Sequence, residues 1–303
     1  MIIGGLGDKT VGHILASVFE NKTGWVGLFG RRALNFAVEA IALIEHFFVV
    51  VQPQYRGRLF GRSLLDAAMN RFKLHATTHV GLDSVIEQKS TYERRGFVAS
   101  PLGKIRCMSY KLSLPSGHSP ISEPDSTSSK LRLVDLAEIP YWILSQSDCD
   151  HTGFKRDGLW RDGIQNRADF FGLALVEHEK PFVKESVHGW VAVRRASEGY
   201  RLGPVYAADA AASRTLIMAA MRSTFARSSA SREQDEILGS DFYMAAEVWG
   251  GNPKAVGIFE ELGWNCTGTE YYRMWLEGVI PLPQDEGGLA QRGMFAIFDA
   301  VVG

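Results

Sequence analysis

Residues 47–66 read Phe-Phe-Val-Val-Val-Gln-Pro-Gln-Tyr-Arg-Gly-Arg-Leu-Phe-Gly-Arg-Ser-Leu-Leu-Asp. A β-branched run, Val49, Val50 and Val51, stops at Pro53; a basic turn follows, and a helical pattern starts at once. A strand, a tight basic turn and a helix start make a local geometry that binds a pyrophosphate. Backbone N–H groups in the turn and the first helical turn have no partner within the helix, and the helix dipole favours negative charge there. Arg56, Arg58 and Arg62 add formal charge at the same place, while Gly57 and Gly61 leave no Cβ between backbone and ligand.

Downstream, Leu64, Leu65, Ala68, Met69 and Phe72 recur at helical spacing over residues 61–74 and form an apolar stripe that can lie on a sheet. Residues 78–82 suit a strand, 86–95 a second helix stopped at Gly96, and 107–112 a closing strand. Upstream, 11–19 and 24–29 read as short strands split by a polar turn. The segment 30–46 interrupts this order. Deleting it would join Phe29 to Phe47 in one strand of ordinary length, so it is expected to be an insertion.

Residues 114–130 hold three prolines, several serines and almost nothing apolar, which reads as a linker. The expected organisation is therefore an N-terminal domain over 1–113, the linker over 114–130 and a C-terminal domain over 131–303. The second half repeats the logic of the first. Strands are expected at 189–193 and 200–206, a helix at 207–225, a strand at 243–249, a helix at 253–262 and a last strand at 271–276. The clearest sign of the repeat is the alignment of Tyr92-Glu93-Arg94-Arg95-Gly96-Phe97 with Phe259-Glu260-Glu261-Leu262-Gly263-Trp264. On this reading a fragment 131–303 should fold alone.

The composition narrows the functional classes. With 33 basic against 34 acidic residues the formal net charge is −1, so nothing global calls for nucleic acid or an anionic membrane, and any anion site must be local. Cys107, Cys149 and Cys266 are odd in number and far apart, which argues against a disulfide framework or zinc knuckle and suits a reducing compartment. The apolar stretch 36–51 is broken by Glu39, Glu45 and His46 and does not span a bilayer. A cytoplasmic location is expected. His75 and His79 lie four apart but read as surface residues, and Asp148-Cys149-Asp150-His151 reads as a polar loop. No metal is expected.

The turn at 56–61 resembles the acetyl-CoA loop of the GNAT acetyltransferase superfamily, Arg/Gln-x-x-Gly-x-Gly/Ala after a strand ending Val-x-Pro. Val51-Gln52-Pro53 supplies the strand end, Arg56 the first position and Gly61 the last, with Leu59 where the middle glycine stands. Tyr92, Gly96 and Phe97 match the second signature, Asn-x-x-Ala-x-x-x-Tyr-x-x-x-Gly-Phe, although Val85 and Gln88 replace its asparagine and alanine. Asp150 to Arg156, Gly203 to Ala207 and Tyr272-Arg273-Met274 extend the likeness to two-domain GNAT proteins of bacteria and fungi, whose C-terminal domain is degenerate.

This resemblance implies a mixed α/β fold of tandem GNAT-type units, the first truncated at its N-terminus, that transfers acetyl from acetyl-CoA to a small-molecule amine. The coenzyme arm would lie along Val49, Val50 and Val51, and the backbone of Arg56, Gly57, Arg58, Gly61 and Arg62 would hold the pyrophosphate. Tyr92 would protonate the departing thiolate, since a phenol is a neutral donor near pH 7. Asp83 and Glu87, flanking the expected cleft, are candidates to take the amine proton. In the second copy Phe259 has no proton to give and the turn after Tyr206 lacks the basic charge for a pyrophosphate, so that copy is expected to be silent. The competing expectation is a non-catalytic module that binds acyl-CoA or scaffolds a partner.

Overall fold

The computed structural model describes residues 2–6, 9–27, 59–112, 130–164, 167–178, 180–196, 199–232 and 242–303. The expected coenzyme-arm strand at Val49 to Val51, the turn residues Arg56, Gly57 and Arg58, the 30–46 segment and nearly all of the 114–130 linker lie outside them.

A hairpin of β1 (Ile2–Leu6) and β2 (Lys9–Val18) leads to β3 (Thr23–Gly27). Then come α1 (Phe60–Leu74), β4 (His79–Val85), α2 (Ile86–Glu93) and β5 (Phe97–Leu112). The second half begins with β6 (Leu131–Asp135), α3 (Tyr141–Thr152), β7 (Phe170–Glu177), β8 (Val187–Ala196) and β9 (Gly199–Ala207). It continues with α4 (Ala210–Arg232), β10 (Phe242–Trp249), α5 (Ala255–Glu261), β11 (Asn265–Leu276), a short α6 (Ala290–Gly293) and β12 (Met294–Ala296). No helix among the described residues is long and apolar enough to cross a membrane.

Local signals place these elements. In α1, Leu64, Leu65, Ala68 and Phe72 are buried and pack with Ile14 and Ala16 of β2 and Val80 and Leu82 of β4. The internal repeat is geometric as well as sequential. After α2, Gly96 takes φ 83°, and after α5, Gly263 takes φ 84°, a left-handed stop that suits glycine. Tyr92 then meets Phe97 edge-on, with centroids 6.2 Å apart and planes at 76°. Phe259 meets Trp264 in the same way, at 5.2 Å and 79°.

The strands form one continuous sheet in the order β1-β2-β3-β4-β11-β5-β10-β12-β9-β8-β7-β6. The two copies exchange their last strands. β11 of the second half pairs antiparallel with β4 of the first, β5 of the first pairs antiparallel with β10 of the second, and β5 and β11 pair with each other. A fragment 131–303 would lack β5 and leave an edge of both β10 and β11 without its partner. The topology thus argues against the expectation that it folds alone.

A buried charge pins this exchange. Arg273 of β11 is 0% exposed. Its Nε and Nη2 donate to the two carboxylate oxygens of Asp83 on β4 at 2.9 and 2.8 Å, and its Nη1 donates to Gln284 Oε1 at 3.0 Å. The guanidinium lies 4.6 Å from the ring centroid of Trp25 and 5.2 Å from that of Trp249, one aromatic from each half. Breaking a buried pair by removing one partner costs about 3–5 kcal/mol because the other charge is left alone. Urea unfolding should accordingly show Arg273→Met strongly destabilised and the double variant Asp83→Leu/Arg273→Met recovering most of the loss. Equal stability of the single and double variants would show that charge pairing is not what holds β11 beside β4.

Candidate functional site

Two pairs of parallel strands begin together and then diverge. In the first half, β3 and β4 pair from Thr23 with His79 to Trp25 with Gly81, after which pairing stops although β4 continues to Val85. In the second half, β9 and β10 pair from Gly199 with Tyr243 to Leu202 with Ala246 and then separate. Divergence of parallel strands leaves backbone N–H and C=O groups without ladder partners, and these must find others.

The second gap is filled by the chain itself. β12 lies between β9 and β10, with Ala296 opposite both Val205 and Val248. Ile297 N–H donates to Glu247 O at 3.0 Å and Ala300 N–H to Glu247 Oε2 at 2.7 Å. Arg194 donates to Phe298 O at 2.9 Å and pairs with Asp299 at 2.7 Å. Among the described residues no strand pairs between β3 and β4.

The segment after β12 reaches the rim of the first gap. Trp25 Nε1 donates to Ala300 O at 3.0 Å, and a Cβ on Gly27 would lie 1.8 Å from Val301 O. Arg156 holds this segment by donating to Val302 O at 2.5 Å and Gly303 O at 3.1 Å. The same guanidinium pairs with Asp148 at 2.6 and 2.9 Å, and Asp148 also accepts from Trp160 Nε1 at 3.1 Å and Tyr206 Oη at 2.8 Å. The side chains of Asp148, Arg156, Trp160 and Tyr206 are all buried, and the carboxylate is fully supplied with donors.

At the start of α1, Leu59 takes φ 64° and ψ 3°, a left-handed conformation, and is 67% exposed. This is the position at which the GNAT pattern has glycine. Gly61 and Arg62 lie in the first turn of α1, where no acidic residue stands. Arg62 is 3.8 Å from Asp66 one turn on.

The three residues expected to act on protons do not share one face of the sheet. Tyr92 is 5% exposed and sits in the core among Leu64, Ala68 and Leu82; burial raises its phenol well above the ordinary value, so it is neutral at pH 7. Leu82 faces this core, so strand alternation turns Asp83 to the opposite face of the sheet, where both its oxygens are taken by Arg273. Burial raises the Asp83 carboxyl while Arg273 opposes that shift. The geometry makes Asp83 a structural partner of Arg273, not the free base that the sequence suggested. Glu87 is exposed in the first turn of α2. Residues 148–151, expected as a polar loop, are instead the last turn of α3, because Asp148 is buried by its four donors. No group of three or more His, Cys, Asp or Glu able to hold a metal ion is found among the described residues.

Residues 24–108, from β3 to β5, match the family model described as the acetyltransferase (GNAT) domain. Over those residues the chain matches a GNAT domain. Among solved structures it resembles a putative acetyltransferase from Pyrococcus horikoshii, with 16% identity and a TM-score of 0.63 over 99% of this chain and 79% of that one. It also resembles a tandem GNAT protein from the clavulanic acid biosynthesis pathway, with 11% identity and a TM-score of 0.56 over 91% and 82%. A GCN5-related N-acetyltransferase from Sphaerobacter thermophilus gives 12% identity and a TM-score of 0.53 over 89% and 77%. At these identities the likeness is one of fold. No curated protein matches the chain by sequence.

Leu59 stands where the GNAT pattern has glycine and takes the left-handed conformation that suits glycine. An L-residue held left-handed costs about 1–2 kcal/mol, partly offset in a glycine variant by its freer unfolded chain. Leu59→Gly should therefore raise stability by about 0.5–1 kcal/mol in urea unfolding. A loss of stability of that size would mean that the Leu59 side chain, not the backbone, sets the head of α1.

Proposed function

We propose that the chain transfers an acetyl group from acetyl-CoA to a small-molecule amine, with residues 1–113 carrying the reaction and 131–303 a silent GNAT-like copy. The observation that supports this reading is the divergence of β3 and β4, between which no strand pairs among the described residues, together with the left-handed head of α1. Unpaired backbone groups on two diverging strands can take the amides of a pantetheine arm, as a β-strand addition would. The arm would run along the strand that continues toward Val49, Val50 and Val51, with the backbone from Arg56 to Arg62 and the α1 dipole on the pyrophosphate. A strand N–H beside the thioester would stabilise the tetrahedral oxyanion.

The amine nitrogen attacks the thioester carbonyl, the C–N bond forms, the C–S bond breaks, and the amine proton leaves to water or to a carboxylate. Glu87 is exposed, whereas Asp83 is held by Arg273, so Glu87 is the carboxylate proposed for this role. Tyr92 supplies the proton to the thiolate, and its neutral phenol suits a donor. Most of the rate would come from holding amine and thioester together. For the second copy, β12 occupies the equivalent gap and Phe259 stands in place of the tyrosine, which together support silence. The protein is proposed to act in the cytoplasm, without a metal.

A second reading, a module that binds acyl-CoA without turnover, is favoured by the burial of Tyr92 in the α1 core and by Leu59 in the glycine position. Incubating the full chain with acetyl-CoA and a panel of small amines, and following free thiol, separates the two. Amine-dependent thiol release is expected, with Tyr92→Phe lowering kcat by about 10²-fold and the KM for acetyl-CoA nearly unmoved. Acetyl-CoA binding without thiol release from any amine supports the module. Equal kcat in variant and parent would leave Tyr92 as a packing residue only.

A further inference from the structure

The second half contains a cavity of about 180 Å³ that acyl transfer does not use, walled by the end of α3, by β8 and β9, and by the segment around α6. Its floor is aromatic. His151 stacks on Tyr206 with ring centroids 4.3 Å apart and planes at 10°, and Trp190 meets Tyr206 edge-on at 5.0 Å. Trp190 is fixed in turn by its Nε1, which donates to Ser147 Oγ at 3.0 Å.

His151 is 8% exposed, and its two nitrogens differ. Nδ1 lies 2.7 Å from Ser147 O, which assigns the proton to Nδ1 and leaves Nε2 as an acceptor. Nε2 faces Gly293, where a Cβ would come within 2.6 Å of it; without that Cβ the nitrogen borders the cavity. Among the described residues Nε2 has no hydrogen-bond partner. Desolvation lowers the pKa of the imidazole below its ordinary value, which keeps the ring neutral at pH 7. Its accessible side is the cavity.

Cations border the same space. Lys184 pairs with Asp150, and Arg292 donates by Nη1 to Gly287 O at 3.1 Å. With the imidazole neutral, the charged groups Asp150, Lys184 and Arg292 leave the lining net positive.

We propose that this cavity binds a small planar organic acid that carries a hydroxyl or amino group at its far end. The far group donates to His151 Nε2, the ring lies within the cavity, and the carboxylate meets Arg292 and Lys184. A water occupies about 30 Å³ of liquid, so the cavity has room for a ligand of on the order of ten heavy atoms. This site is independent of the acyl-transfer reading, since its lining residues all lie between Ile143 and Gly293 and none belongs to β3, β4 or α1.

Calorimetric titration of the full chain with 4-hydroxybenzoate, benzoate and 4-hydroxybenzamide tests it. The hydroxy acid should bind most tightly, and loss of either the hydroxyl or the charge should weaken binding by about tenfold, the worth of one good hydrogen bond. Arg292→Gln, at an exposed position, should weaken 4-hydroxybenzoate by about tenfold and leave 4-hydroxybenzamide unchanged. Gly293→Ala should remove the advantage of the hydroxyl by placing a methyl against Nε2. Failure of all three compounds to bind, equal affinity for benzoate and 4-hydroxybenzoate, or indifference of the acid to Arg292→Gln would overturn the proposal.

Discussion

Arg273 carries its charge to a place where no solvent reaches, and the molecule is arranged around satisfying it. One carboxylate takes two of its donors, Gln284 a third, and two tryptophans from different halves lie within cation–π distance. A buried ion pair of this kind is costly to desolvate and is weak evidence for net stability, but it is strong evidence for register. A one-residue slip of β11 against β4 would turn Arg273 to the other face, among Leu64, Phe72 and Met274's apolar neighbours. The pair thus fixes which strands lie together, and through them the exchange that joins the two copies into one sheet.

That exchange gives the two strand gaps different fates. Both copies split their central parallel pair after a few residues. In the second copy the chain comes back and closes the split with β12, anchored by Glu247, Arg194 and Asn252. In the first copy the continuation past β12 reaches the rim, against Gly27 and Trp25. A single segment therefore plugs one gap and borders the other, and the Asp148–Arg156 network that holds its end also reaches Tyr206 beneath the His151 cavity.

Legibility in the sequence followed the range of the interactions. The apolar stripe of α1, the stop at Gly96 and the copy at Gly263 depend on neighbours a few residues away, and each was readable. So were β3, β4, β8, β9 and β10, as short apolar runs between turn signals. The partner of Asp83 lies 190 residues away, so nothing near Asp83 marked it as occupied, and it read as a free carboxylate in a cleft. The signal was in Arg273 itself, a lone arginine between Tyr272 and Met274-Trp275 in a strand pattern. Asp148 misled for the same reason: four donors drawn from Arg156, Trp160 and Tyr206 turn a polar run into a buried helix end. The strand exchange had no local signature, because either copy's last strand fits either central strand by pattern alone.

The central claim is that the gap between β3 and β4, and not the one between β9 and β10, receives the coenzyme. Hydrogen exchange of the full chain with and without saturating acetyl-CoA tests this most directly, because amides that gain a partner or lose access to water exchange more slowly. The account predicts slowed exchange at the head of α1, in residues 60–64, and along β3 and β4, with β10 and the start of α4 unchanged. Protection confined to β9, β10 and α4, or none in α1, would contradict it.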